Sequence, residues 1–240
     1  MGKERARQLS LEWAEKAPET VLRLAVETFG AGDVAFATSL GAEDQVIADL
    51  LHREGLGVPV FTLDTGRLPE QTYEVLDATI RRYGIHIEVL FPQTTAVEKM
   101  VSLHGPNLFY ESIEKRRECC RIRKVEPLSR KLSTLGAWIC GLRREQSVTR
   151  QGLDLVEWDE GFGLFKLNPL ADVSETWVWE YIRSNDVPYN RLHDLGYPSI
   201  GCEPCTRAVR PGDDIRSGRW WWESPEHKEC GLHNRPAQQR

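Results

Sequence analysis

Apolar positions in the first ninety residues switch repeatedly between two periods. Trp13, Ala17, Val21, Leu24 and Thr28 recur at helical spacing, with Pro18 suited to a helix start and Gly30 to its end. The run 34–38 is short, apolar and β-rich, predicting a buried strand, and 42–54 predicts a helix stopped by Gly55. The pairing repeats with a strand over 58–63, a helix over 68–83 stopped by Gly84, and a strand over 85–90. Strands separated by amphipathic helices need right-handed crossovers. The pattern therefore predicts an α/β fold: a mainly parallel sheet flanked by helices.

The rhythm then changes. Residues 94–133 are helix-rich and strongly charged, and 137–142 predicts another buried strand. Segments 153–158 and 163–167 are able to pair as a hairpin, and a helix is expected from Ser174 with Glu175 in its first turn. Beyond residue 187 the chain is rich in Pro, Gly and charge. This divides it into a body, 1–210, and a C-terminal tail, 211–240. A length of 240 residues suits one well-buried domain with such an appendage.

Charge narrows the partners. With 31 basic and 36 acidic residues the net charge is −5, which argues against nucleic acid as a partner but leaves a small anion open. The start, MGKERARQLS, has no apolar stretch of a signal peptide, and no run reaches membrane-spanning length, so neither export nor a membrane is expected.

Two turns carry candidate chemistry. Ser39-Leu40-Gly41-Ala42-Glu43-Asp44 lies where a strand becomes a helix, where free backbone N–H groups and the positive helix end favour an anion. Ser39 offers a hydroxyl and Gly41 close approach; a simple helix cap with Glu43 and Asp44 on the dipole is the competing reading. Asp64, Thr65, Gly66 and Arg67 close the second strand in the same way, and two such turns side by side make a nucleotide crevice. Arg143, Arg144, Arg150, Arg216 and Arg219 supply forks that match sulfate and phosphate oxygens, although any single one also suits a solvated surface.

Six cysteines are too few for a disulfide scaffold, and their placement points elsewhere. Cys119 and Cys120 are adjacent, and Cys202 and Cys205 form a CxxC. Without an export signal this reads as metal or redox chemistry in a reducing cytoplasm. Four thiolates suit either structural zinc or an iron–sulfur cluster. Adjacent side chains on a helix diverge by about 100°, so one thiolate needs a bent helix end, and a cube with several iron corners eases that demand. Lys115, Arg116, Arg117, Arg121, Arg123 and Lys124 surround the pair with positive charge suited to an anionic cluster. Cys140 sits in an apolar strand as a core thiol. Cys230 reads as an incidental cysteine, a fifth metal candidate or a nucleophile; Gly231 leaves its sulfur accessible, and His227, Lys228 and His233 favour the thiolate of the last reading.

Taken together, SLGAED, LDTGRL, Cys119–Cys120, GLRREQS, Cys202-x-x-Cys205, Arg216-x-x-Arg219 and ECGLH resemble the assimilatory sulfonucleotide reductases, in their bacterial iron–sulfur, adenylyl-sulfate form. The matches span residues 39–233. The resemblance implies an adenine nucleotide α-hydrolase-like sheet that binds adenosine 5′-phosphosulfate through Ser39, Gly41, Asp64, Thr65, Gly66, Arg67 and Arg144. It implies that Arg150, Arg216 and Arg219 meet the phosphosulfate, and that Cys119, Cys120, Cys202 and Cys205 hold one 4Fe–4S cluster per subunit. Lys124 would stand between cluster and substrate, and Cys230 would be the nucleophile. Thioredoxin is the implied reductant, and a homo-oligomer stays open. The alternatives are a reductase of the 3′-phosphorylated nucleotide, or of both; an ATP-using thiolation enzyme, whose SGGxDS turn is not matched here; and a zinc-stabilised, non-catalytic module.

Overall fold

Why the chain folds as it does is clearest at its centre. Strand β1 (Val34–Thr38) is a β-branched and aromatic run whose Val34, Ala35 and Phe36 are fully buried, as a strand covered on both faces must be. The computed structural model describes residues 1–147, 150–224 and 232. In it β1 pairs in parallel with β2 (Val60–Leu63) on one side and β4 (Ala137–Ile139) on the other. β3 (Ile87–Leu90) extends the β2 side, and β6 (Leu164–Leu167) the β4 side. β5 (Val156–Asp159) closes the edge as the antiparallel partner of β6, giving the order β3-β2-β1-β4-β6-β5.

That order has a consequence. The chain runs outward from β1 to β2 and β3, then returns to β4 on the opposite side. The order of strand addition therefore reverses between the parallel strands β1 and β4, and the loops at their carboxyl ends splay apart there.

Helices α1 (Gly2–Glu12), α2 (Pro18–Phe29), α3 (Ala42–Arg53) and α4 (Glu70–Tyr83) follow the expected alternation. α1 covers the edge strand, and Ser10 Oγ accepts the Val156 N–H. In the charged stretch lie α5 (Thr94–His104), α6 (Ile113–Cys120) and α7 (Glu126–Leu132), and α8 (Glu175–Ser184) starts on a Ser174 hydroxyl cap as its sequence predicts. α6 and α7 are joined by a wide π-helical turn, Arg121–Val125.

Apolar packing forms two bodies. The larger covers the sheet and includes Phe36, Phe61, Ile139 and Trp138. A smaller cluster gathers Met100, Leu108, Phe109, Ile122 and Trp220 around Cys120, Cys202 and Cys205. The main chain of 218–220 folds back beside it, with Arg207 N–H on the Gly218 carbonyl and Trp220 N–H on that of Cys205, so the body extends past residue 210. Among the described residues, no helix is long and apolar enough to cross a membrane.

Candidate active site

A cavity of about 670 Å³ opens at the carboxyl ends of β1, β2 and β4, where the topology predicts a crevice. Its floor is the first turn. Leu40 is held at φ 62°, a left-handed conformation rare for a leucine, and its N–H donates to Thr38 Oγ1 at 3.0 Å. Ser39 lies on the cavity wall, with both its N–H and its hydroxyl 2.6 Å from Asp44 Oδ2. Asp44 also accepts from the Gly141 N–H, tying the β1 turn to the β4 turn. Burial pushes this carboxyl up to about 6 despite those donors. A Cβ on Gly141 would stand 2.2 Å from Asp44 Oδ1, so only glycine fits. A second tie runs in parallel: Arg143, 2 % exposed, donates from Nε to Glu43 at 2.9 Å.

The second turn divides its labour. Thr65 lines the cavity, as do Ser39 and Gly41, whereas Asp64, Gly66 and Arg67 stand behind the wall. Asp64 accepts from the Gly66 N–H at 2.7 Å and from the Tyr73 hydroxyl at 3.0 Å, which fixes the turn. Arg67 donates to the Pro106 carbonyl and to Asn107, and its guanidinium lies over the Phe109 ring. It thus braces the cysteine side of the molecule. Thr65 joins the two regions, for its Oγ1 is 3.2 Å from Cys202 Sγ and its carbonyl accepts from Arg123.

Cys119 and Cys120 end α6, whose Ser112 cap accepts the Lys115 N–H. The wide turn that follows supplies the helix bend that adjacent ligands demand, and buries Ile122, Arg123 and Lys124 in succession. Cys120, Cys202 and Cys205 are buried in the smaller apolar cluster, with Cys119 packed against it. The sulfurs feel one another: Cys202 raises the thiol pKa of Cys119, and Cys202 and Cys120 raise that of Cys205, after the larger effect of burial, which takes Cys205 to about 12. Burial also raises Cys202, but Lys124, the Thr65 hydroxyl, Arg219 and Arg123 together outweigh it and leave that thiol below its ordinary value.

Of the thiols of Cys119, Cys202 and Cys205, that of Cys202 is the one shifted toward thiolate. Among the described residues, no three His, Cys, Asp or Glu side chains gather as they would around a single ion. A four-iron cube takes one thiolate at each corner, and Cys119, Cys120, Cys202 and Cys205 supply four. An orphan supports the fit: the buried Trp220 Nε1, in the same cluster, has no acceptor, and cluster sulfur is an acceptor of the kind it lacks.

Lys124, Arg150, Arg216 and Arg219 all line the cavity, and Lys124 and Arg219 also act on Cys202 from there. Arg219 lies over the Trp220 ring at 4.8 Å and donates to the Ile200 carbonyl; it threads past Gly201, where a Cβ would meet its Nη2 at 2.2 Å. Arg144 goes elsewhere, pairing with Asp172 and donating to the Leu153 carbonyl. Its neighbour Arg143 lines the cavity instead. The sequence reading chose Arg144 of the two for the substrate, whereas it is Arg143 that reaches the cavity, and it left Asp44 as a dipole complement. Cys140 is in the cavity lining yet buried, and burial pushes its thiol up. Cys230, with His227, Lys228 and His233, lies outside the described residues. Leu232, two positions beyond it, packs on the main core and lines the cavity.

Known proteins give the comparison. The family model described as the phosphoadenosine phosphosulfate reductase domain matches residues 33–208. An adenosine 5′-phosphosulfate reductase of Allochromatium vinosum is 56 % identical over 202 residues, covering 84 % of this chain and 79 % of that one. One of Pseudomonas aeruginosa is 46 % identical over 231 residues, covering 94 % and 85 %. Among solved structures, the phosphoadenylyl-sulfate reductase of Candida auris in its phosphate complex superposes with a TM-score of 0.73 at 30 % identity, over 87 % of this chain and 98 % of that one. An FMN adenylyltransferase of Candida glabrata shares the fold at a TM-score of 0.55 and 14 % identity, over 97 % and 84 %.

Proposed function

Because the chain belongs to the family of the phosphoadenosine phosphosulfate reductase domain, we propose that it reduces adenosine 5′-phosphosulfate to sulfite and AMP through Cys230, with thioredoxin as electron donor. The observation that carries this reading is the junction of two sites. A cavity lined by Lys124, Arg150, Arg216 and Arg219 shares Thr65 and Lys124 with a pocket of four cysteines. The names of the relatives, 46–56 % identical, favour the substrate without the 3′-phosphate.

The chemistry follows from charge. The thiolate of Cys230 attacks the sulfate sulfur of the bound anhydride. The sulfur–oxygen bond to phosphate breaks, and its electron pair leaves with AMP. Thiolate and substrate are both anions, so the approach is uphill until cations offset it; three arginines and Lys124 suit that task. Cys230 then carries an S-sulfo group. A thiolate of reduced thioredoxin attacks the Cys230 sulfur and expels sulfite, and its second thiol resolves the mixed disulfide. Two electrons pass from the dithiol to sulfur, and Cys230 is restored.

Cys119, Cys120, Cys202 and Cys205 would hold the 4Fe–4S cluster. That group would supply electrostatic and structural support, since the thiols already account for both electrons. Lys124 and Arg123 would balance its charge on the side facing the cavity. Reduced thiols of this kind suit a cytoplasmic setting. In this reading the body, with Arg216 and Arg219, binds the nucleotide, and the segment that follows Glu223 delivers the nucleophile. Leu232 supports it, as a residue close in sequence to Cys230 that reaches the cavity wall.

The deciding experiment supplies each sulfonucleotide anaerobically, with and without reduced thioredoxin. We expect sulfite from adenosine 5′-phosphosulfate, and, without thioredoxin, a mass adduct of SO₃ on Cys230. C230S should still bind AMP but form neither. Turnover by C230S, or an adduct on Cys140, would overturn the assignment.

A further inference from the structure

The most heavily buried charge pair in the described structure has no part in substrate binding. Arg116 is 0 % exposed and Glu223 3 %, joined by two parallel hydrogen bonds, Nε to Oε1 at 2.9 Å and Nη2 to Oε2 at 2.8 Å. Neither residue lines the cavity. Two charges so deprived of water are costly to keep unless each gains further partners. Arg116 has them: its guanidinium lies 4.7 Å from the centre of the Trp220 ring and hydrogen-bonds the Cys120 thiol. Its own helix brings it there, since residues 116 and 120 are four apart and share a face of α6. One side chain thus touches Cys120, the Trp220 ring and the buried carboxylate of Glu223.

Position along the chain gives this contact meaning. Glu223 lies seven residues before Cys230, and Leu232, at the cavity, two after it. Eight residues lie between these two fixed points, nine chain steps that span at most about 32 Å. Upstream, Trp220 N–H on the Cys205 carbonyl and the Thr206–Arg219 bridge hold the main chain as far as residue 220, and the Glu223 N–H closes a turn onto the Trp220 carbonyl at 2.8 Å. Beyond it, Trp222 meets the Tyr110 ring edge-on and lies tilted against Phe109, whereas among the described residues of this stretch it is Glu223 that is held by a charged, bidentate partner.

We propose that Arg116 is a positioning residue for sulfonucleotide reduction: it fixes the root of the Cys230 segment to Cys120, so that the state of the sulfur pocket and the placement of the nucleophile are coupled. The inference rests on the assignment of Cys230 under the proposed function. Loss of whatever holds the four thiolates would free Cys120, unseat Arg116 and release Glu223. A neutral pair of similar volume would keep the root packed but cut the link, because apolar replacements of buried ion pairs are commonly tolerated.

The test uses the full chain, with its iron content measured, and three variants. E223Q removes the charge and E223D keeps it. The double variant R116M/E223M replaces the pair by apolar side chains. The readouts are limited proteolysis after residue 223, AMP affinity, and the single-turnover rate of adduct formation at saturating substrate. We expect E223Q to bind AMP within about twofold of the parent, to be cut at least tenfold faster, and to form adduct at least tenfold more slowly; E223D should recover most of both. In the parent, stripping iron with a chelator should speed cleavage by a similar factor. In R116M/E223M, cleavage should no longer depend on iron.

Cleavage of E223Q at the parental rate, or equal dependence on iron in R116M/E223M and parent, would overturn the inference. Should E223Q fail to fold, the double variant decides alone. Should Cys230 prove not to be the nucleophile, the adduct arm fails for every protein while the proteolysis arms still report on the anchor, so the two failures are told apart.

Discussion

Thr65 Oγ1 stands 3.2 Å from Cys202 Sγ, and the residue that makes this contact is also part of the cavity wall. The turn that closes β2 is therefore shared between anion site and sulfur pocket. A hydroxyl aimed at sulfur stabilises thiolate over thiol, in concert with Lys124. T65V should move the alkylation profile of Cys202 in iron-free protein toward higher pH, and T65S should restore it. Mass-mapped alkylation across a pH series is the check; an unchanged profile would assign Thr65 to packing alone.

Asp44 gives a pH prediction with a definite sign. Its carboxyl is raised from 3.8 to about 6 by burial, so the folded chain holds this proton more tightly than the unfolded one. Its contribution to stability is fully present below pH 4 and is lost as pH rises through 6. The loss amounts to about 3 kcal/mol for a shift of roughly two units. Urea unfolding of parent and D44N at pH 4 and pH 7 should show the difference between them changing by that order, with the parent favoured at the acid end.

G141A tests the tie between the β1 and β4 turns. Its methyl would fall 2.2 Å from Asp44 Oδ1 and 3.1 Å from the Asp44 backbone nitrogen, and neither belongs to a long flexible side chain. About 1–3 kcal/mol of stability should be lost, with AMP binding weakened because the cavity floor moves. Calorimetric melting and AMP titration would measure both.

What the sequence made legible was whatever repeats or punctuates. Gly30, Gly55 and Gly84 end helices as expected, and β1 matches its predicted run of 34–38. The strand predicted over 137–142 shortens to Ala137–Ile139, because the residues after it leave the ladder to form the cavity rim. The 163–167 segment pairs with its hairpin partner, but its parallel pairing with β4 depends on tertiary placement that a local pattern does not carry. The same holds for Arg143 and Arg144. Adjacent identical residues differ only in which way a short 3₁₀ turn points them, and that is set by Glu43 on one side and Asp172 on the other. Asp44 was visible as an acid at a helix start, but its contact with Gly141 lies about a hundred residues away in sequence.

The arginines at the cavity separate substrate from product. R216A should weaken binding of adenosine 5′-phosphosulfate more than that of AMP, by roughly 1.5–3 kcal/mol for a charge-assisted contact, or about one to two decades in affinity. R219A should do the same and also loosen the Trp220 region, since its guanidinium lies over that ring. Competition titrations with both nucleotides distinguish the two; equal losses for AMP and substrate would confine either residue to phosphate binding.

Metal removal should be felt as folding. Anaerobically purified protein should hold iron and acid-labile sulfide in a 4:4 ratio of about one cluster per chain. C202A or C205A should lose it and expose the smaller apolar cluster to a hydrophobic dye, because bound metal stabilises only the folded state. Stoichiometric zinc in a fully active preparation would refute the cluster.

The wide turn at Arg121–Val125 sets a phase. A π-turn carries one residue more than an α-turn, and it sits where one helix must serve two cores. Ahead of it Arg116 and Cys120 face the sulfur pocket; after it Leu128 and Leu132, each 1 % exposed, face the sheet. Deleting one residue within the turn would restore a regular helix and rotate everything downstream by about 100°. Lys124 or the two leucines would then point the wrong way, and no rotamer change could recover both. The extra residue is thus a gear offset between two packing surfaces. A relative built without the cysteine pair has no such offset to maintain, and a single-residue gap at this place in its alignment would be the trace of that freedom.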